Sequence, residues 1–159
     1  TLKNKRIVYG GGGVMPDIFV PMDTSSHYKF YNLLVRQNIL YSVSLDYLIS
    51  NRKRVSEKYA GFRDFRENFE VGDELIGKMI AEAEKEKIEK DQASIDFARP
   101  LIRKQVKALL ARDLYGMDYY YRVINQDEAV LEKALEVLGE PAEYEQLLAE
   151  KSDHDGNNL

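Results

Sequence analysis

The chain has 159 residues, 44% of them hydrophobic and 11% aromatic, with no cysteine and a formal net charge of −4. That composition supplies a core and excludes wholesale disorder, disulfides and thiolate chemistry, and the charge excludes a nucleic-acid binder working through a global positive field. The charge is uneven: through Arg66 there are 11 Lys and Arg against 5 Asp and Glu, and afterwards 12 against 22, so a basic part of +6 precedes an acidic part of −10, and the two are expected to offset each other across their own contacts.

The first region runs from Lys5 to Pro21. Arg6-Ile7-Val8-Tyr9 is β-branched and aromatic, hence strand-like. Gly10 to Gly13 cannot sit comfortably inside a regular element. Ile18-Phe19-Val20, bounded by Pro16 and Pro21, reads as a second short extended run. Two strands alone are marginal in water, so they are expected to complete a sheet supplied by other sequence. The chain opens at Thr1 and enters this run at once, which points to sequence upstream, where a targeting signal would lie. No segment of the chain itself reads as a signal peptide or a membrane span.

The second region, from about Thr24 to Tyr59, reads helical. Asp23, Thr24, Ser25 and Ser26 offer N-cap chemistry. Tyr28, Tyr31, Leu34 and Val35 recur at helical spacing, and after a break near Gln37-Asn38 the pattern resumes through Ile39, Val43, Leu48 and Val55. In the third region Phe62, Phe65 and Phe69 share one face of a short helix. Asp73 is placed to cap a helix carrying Leu75, Ile76, Met79 and Ile80, which fades into a charged, solvated stretch from Glu82 to Lys90. The longest pattern begins near Asp91, with Ile95, Ala98, Ile102, Val106, Leu109 and Leu110 on its apolar face. Pro100 is expected to kink it or to begin a new helix, and Gly116 to stop it. Tyr119–Ile124, Val130–Leu138 and Ala142–Glu150 read as three further helices, and from Ser152 the tail is polar and frayed.

The segment Arg6-Ile-Val-Tyr-Gly-Gly-Gly-Gly-Val-Met-Pro-Asp-Ile-Phe-Val20 resembles a strand-turn-strand late in the protease core of the C-terminal processing (tail-specific) serine peptidase family. There a basic residue, an apolar pair, a glycine cluster and Pro-Asp lead into an apolar strand; Gly10, Gly11, Gly12, Gly13, Pro16 and Asp17 stand in those places. The runs from Phe62 to Val71 and from Arg99 to Gly116 look like the helical C-terminal extension of Bacteroidetes-type members. The resemblance implies a mainly α chain: residues 1–22 as the last β segment of a missing peptidase core, 23–151 as a multi-helix C-terminal domain, and 152–159 as a polar tail. It also implies that the catalytic Ser and Lys lie upstream, so no catalytic residue is assigned here. In such enzymes the Lys must be neutral to take the serine's proton, which burial makes possible, and the substrates are proteins presented by their C-terminal ends. The location implied is extracytoplasmic. The partners implied are the rest of the protease chain and, through it, protein substrates.

Several constellations have simpler readings. The glycine cluster and Asp17 either let backbone lie close to the parent active site or make a tight turn with Asp17 bonding nearby backbone; the turn is preferred. A phosphate loop fits poorly, because neither Lys-Ser nor Lys-Thr follows the glycines and no helix begins there. Asp23, Ser25 and His27 hold the residue types of a hydrolase triad, yet a triad is assembled in space, and capping explains them. Asp153-His154-Asp155 lacks the paired histidines of a metal site, so no metal or cofactor is expected. Lys104 and Lys107, with Arg99, Arg103 and Arg112, read as a solvated basic face, and Tyr119-Tyr120-Tyr121 as half-buried rings whose hydroxyls reach polar partners. A second reading of the whole chain is a non-catalytic helical module for protein binding or self-association, which leaves a homo-oligomer open.

Overall fold

The structure is a computed structural model that describes residues 16, 18–21, 28–88, 91–126 and 128–149. Among these residues the chain is mainly helical, in eight helices: α1 (Lys29–Arg36), α2 (Ile39–Lys58), α3 (Phe62–Asn68), α4 (Asp73–Lys85), α5 (Gln92–Tyr115), α6 (Met117–Ile124), α7 (Ala129–Gly139) and α8 (Pro141–Ala149). The expected strand at Arg6–Tyr9, the glycine turn and Asp17 lie outside the described residues. Ile18, Phe19 and Val20 are described and form no strand, with Phe19 largely exposed. A strand exists only by pairing, and two short runs alone are marginal in water.

The described helices fall into two compact units, one holding α1–α6 and the other α7 and α8. In the first unit α5 is central, packing against α1, α2, α3, α4 and α6, while α2 also lies against α1 and α4. The pattern read from sequence produces this. Ile95, Ala98, Ile102, Val106 and Leu110 of α5 are buried, as are Leu75, Ile76, Met79 and Ala83 of α4. Fully burying an aliphatic side chain of this size stabilises by about 1.5–3 kcal/mol.

The break between α1 and α2 falls where expected. Asn38 adopts a left-handed φ of 59°, its N–H bonds Val35 O at 3.0 Å, and its own carbonyl accepts from Ser42 N at 3.0 Å, starting α2. Asn tolerates this conformation better than other side-chain-bearing residues. The buried Ser44 of α2 is satisfied within its own helix, its hydroxyl donating to Leu40 O.

Four local expectations are corrected. Pro100 does not begin a new helix: α5 runs unbroken for 24 residues with Pro100 inside it. Its ring faces solvent, and the carbonyl deprived of a partner belongs to Asp96, also exposed, where water can bond it. Asp73 is not the cap of α4 but its first helical residue; Gly72 is the N-cap, and the Asp73 carboxylate accepts from Arg103 Nη2 at 2.6 Å instead. The charged stretch after Glu82 is not all solvated, since Ala83 and Ile88 are buried. There α4 ends in a Schellman motif: Ile88 N bonds Ala83 O at 2.9 Å and Lys87 N bonds Glu84 O at 3.0 Å, with Lys87 at φ 57°. At the far end of α5, Gly116 takes a φ of 115°, and α6 begins directly after it rather than at Tyr119.

Candidate functional site

The chemistry-bearing side chains of the α1–α6 unit gather along two sides of α5. On one side, Arg99 and Arg103 share Asp73, at 3.6 Å and 2.6 Å, and Arg103 Nε also donates to Val71 O at 3.3 Å. These bonds fix the α3–α4 turn against α5. One turn further along, Lys107 is half-buried beside Arg66 and Glu70. Burial lowers its pKa below the ordinary lysine value; Glu70 opposes the shift and Arg66 adds to it. The solvated basic face read from sequence is therefore half right. These cations are only partly exposed, and Arg99, Arg103 and Arg112 pair with Asp73, Asp96 and Asp113 on helices of their own unit. Arg112 pairs with Asp113 at 2.7 Å and lies over the Tyr41 ring at 5.1 Å. Lys104 Nζ donates to Gln126 O.

The other side is aromatic and amide chemistry. Gln105 Nε2 donates to Tyr120 Oη at 3.0 Å, while Tyr31 Oη reaches Gln105 Oε1 at 3.5 Å, so one side chain of α5 ties α1 and α6 together. Burial raises the Tyr31 phenol above its ordinary pKa, with Tyr120 adding to the rise. Of the three consecutive tyrosines, Tyr119 and Tyr120 are half-buried, as read from sequence, and Tyr121 is exposed. Tyr119 lies 4.5 Å from the Phe62 ring, and Phe62 and Phe65 of α3 each make an edge contact with Tyr115 of α5.

Two features of this cluster escape a sequence reading. The Tyr115 hydroxyl is buried without a hydrogen-bond partner, and burial, reinforced by Asp64, raises its pKa. Asp64 itself accepts from Ala60 N at 3.0 Å and Asn68 Nδ2 at 2.6 Å, which lowers its pKa; the backbone bond is the larger cause. Only the Asp at the third position of a short helix hints at the second feature.

A serine nucleophile needs a base within hydrogen-bond reach. The hydroxyls of Ser42, Ser44 and Ser94 are instead engaged locally, donating to Ile39 O, Leu40 O and Asp91 Oδ2. Of the structural motif residues, Pro16 is described and exposed, whereas Gly10, Gly11, Gly12, Gly13 and Asp17 lie outside the described residues, as do Asp23, Ser25, His27 and the Asp153-His154-Asp155 tail. Among the described residues no group of three or more His, Cys, Asp or Glu is placed to hold a metal ion, and no helix is long and apolar enough to cross a membrane.

The fold and these clusters define a small all-helical domain built around one central helix. Residues 30–116, which span nearly all of α1 and the whole of α2–α5, match the family described as "Family of unknown function (DUF8443)", and the chain belongs to that family. No curated protein and no solved structure matches it.

Proposed function

We propose that the chain is the C-terminal part of a secreted C-terminal processing serine endopeptidase, its helical domain supporting a peptidase core encoded upstream. The observation that carries this reading is the segment Arg6–Val20, with its basic residue, apolar pair, four glycines and Pro-Asp. The two runs that resemble the helical extension also support it, because they pack on each other: Phe62 and Phe65 of α3 meet Tyr115 of α5 at 5.9 Å and 5.7 Å. In this reading the reactive Ser and its neutral Lys belong to the upstream core, and substrates are proteins held by their C-terminal ends.

The test is the parent reading frame and its product. The protein expressed with its upstream sequence is expected to cleave an unstructured polypeptide and to be labelled by a serine-directed covalent probe, both abolished by replacing the upstream Ser with Ala. This chain alone is expected to do neither. A parent frame without an upstream Ser and Lys, or proteolysis by this chain by itself, overturns the reading.

The second reading, a non-catalytic helical protein-binding module, is favoured by the closure of a core within α1–α6, where Phe30, Phe65, Ile76, Met79 and Ile102 are all fully buried. Titration of the chain with peptides bearing free C-termini, with light scattering to follow self-association, tests it. A silent, monomeric chain leaves it without support.

A further inference from the structure

The second unit carries an exposed apolar surface among its described residues. On α7, Val130, Leu131, Leu135 and Leu138 are 60%, 42%, 61% and 62% exposed, and Ala134 between them is exposed too. At a helical turn of 3.6 residues these five side chains fall within an arc of about 140°. Scattered exposed leucines are ordinary, but four large aliphatics in one stripe of an 11-residue helix are not. Leu131, Leu135 and Leu138 are spaced by four and then three, the seam by which one helix packs along another.

Beside the stripe runs a ridge of carboxylates. Glu128, Glu132, Glu136 and Glu140 recur every fourth residue, with Lys133 set against Glu136 at 3.0 Å. From Asp127 to Leu159 the chain has 10 Asp and Glu against 2 Lys and Arg, the most acidic stretch in the molecule.

We propose that this face of α7 docks a basic amphipathic helix of another protein, whose aliphatic side chains seat against Leu131, Leu135 and Leu138 and whose Lys and Arg side chains run along the glutamate ridge. The spacing selects a helix, and the ridge selects its charge. A second copy of the chain fits poorly, because pairing two such faces brings together two stretches of the same strong negative sign. The chain's own basic stretch, Lys3-Asn4-Lys5-Arg6 running into Ile7-Val8-Tyr9, is strand-like by residue type and lacks the helical seam. The surface lies outside residues 30–116 and is independent of the peptidase reading.

The experiment uses the full chain and two labelled synthetic helical peptides that share one leucine seam, one flanked by lysines and the other by glutamates. The lysine peptide is expected to bind at least about tenfold more tightly than the glutamate peptide, a difference of about 1.4 kcal/mol, and to weaken as salt rises. Leu131→Asp with Leu135→Asp should lower its affinity by about tenfold or more. Glu132→Lys with Glu136→Lys, which leaves the aliphatic stripe intact, should reverse the preference between the two peptides. Equal binding of the two peptides overturns the proposal, as does unchanged affinity in the leucine variants. So does a chain that sediments as a dimer and is made monomeric by Leu135→Asp, which would assign the face to a second copy. Binding that appears only after residues 1–15 are removed would assign it to the chain's own basic stretch.

Discussion

Phe65 is the side chain on which the α1–α6 core leans most visibly. It is 0% exposed, stacks on Phe69 at a centroid distance of 4.6 Å, and makes edge contacts with Tyr59 at 5.8 Å and Tyr115 at 5.7 Å. Replacing it with Ala removes the buried ring and leaves a cavity that such a neighbourhood of rigid rings closes poorly, at a cost of about 3–5 kcal/mol. Replacing it with Leu keeps most of the apolar volume and loses three ring–ring contacts of about 0.5 kcal/mol or more each, for a cost of about 1.5–2 kcal/mol. A domain near 100 residues has about 5–15 kcal/mol in total, and each kcal/mol moves its midpoint by about 4–8 °C. The leucine variant is thus expected to melt about 6–16 °C lower and the alanine variant lower still. Urea unfolding followed by far-UV circular dichroism and by tyrosine fluorescence gives both values and checks that the transition is single. Ile49→Ala, at a site 70% exposed, serves as the control and should cost no more than about 0.5 kcal/mol. A cost under about 1 kcal/mol for Phe65→Ala would refute the argument. So would a leucine variant as damaged as the alanine one, since volume would then count for nothing.

Lys87→Gly should raise stability by about 0.5–1 kcal/mol, because Lys87 holds a left-handed φ of 57° at the C-terminal cap of α4; Lys87→Ala should give no such gain, and a denaturant midpoint that falls in the glycine variant would contradict the assignment. Asp64→Asn should lower stability at neutral pH and flatten the acid side of the stability–pH curve. The folded state lowers the Asp64 pKa through the Ala60 N–H and the Asn68 amide. Its contribution is therefore fully present above the ordinary aspartate pKa and is lost as pH falls through the lowered one. Parallel acid limbs for the two proteins in pH-jump unfolding would count against this.

Helix positions were legible because burial in this domain follows periodicity. The stripe Ile95, Ala98, Ile102, Val106 faces inward as spaced, and the Gln37-Asn38 interruption marks a real boundary. Punctuation residues were less reliable for a physical reason. Pro100 removes one hydrogen bond from α5, and on the solvent side of the helix water can bond the carbonyl it leaves. Asp73 reads as a cap, but Arg99 and Arg103 of α5, 26 and 30 residues away, share its carboxylate, a partnership that no local window contains. The same holds for Gln105, whose two tyrosine partners lie 74 and 15 residues away. The α7 stripe was read correctly as a helix; what spacing does not tell is whether an apolar face finds a partner inside its own chain. Of the Arg6–Val20 motif only Pro16 and Ile18–Val20 are among the described residues.

The extent of the family match and the extent of the packed core differ, and the difference bears on how the domain works. The match ends at residue 116, on Gly116, where the chain turns from α5 into α6. The core does not end there. Val123 is buried in the same cluster, Tyr120 holds Gln105, and Tyr119 covers Phe62. A chain cut at Gly116 would bare those contacts and leave the Gln105 amide without its shorter bond. The positive φ of Gly116 lets α6 fold back directly onto α5 without an intervening loop. The cooperative unit is therefore α1–α6, with α6 acting as its lid.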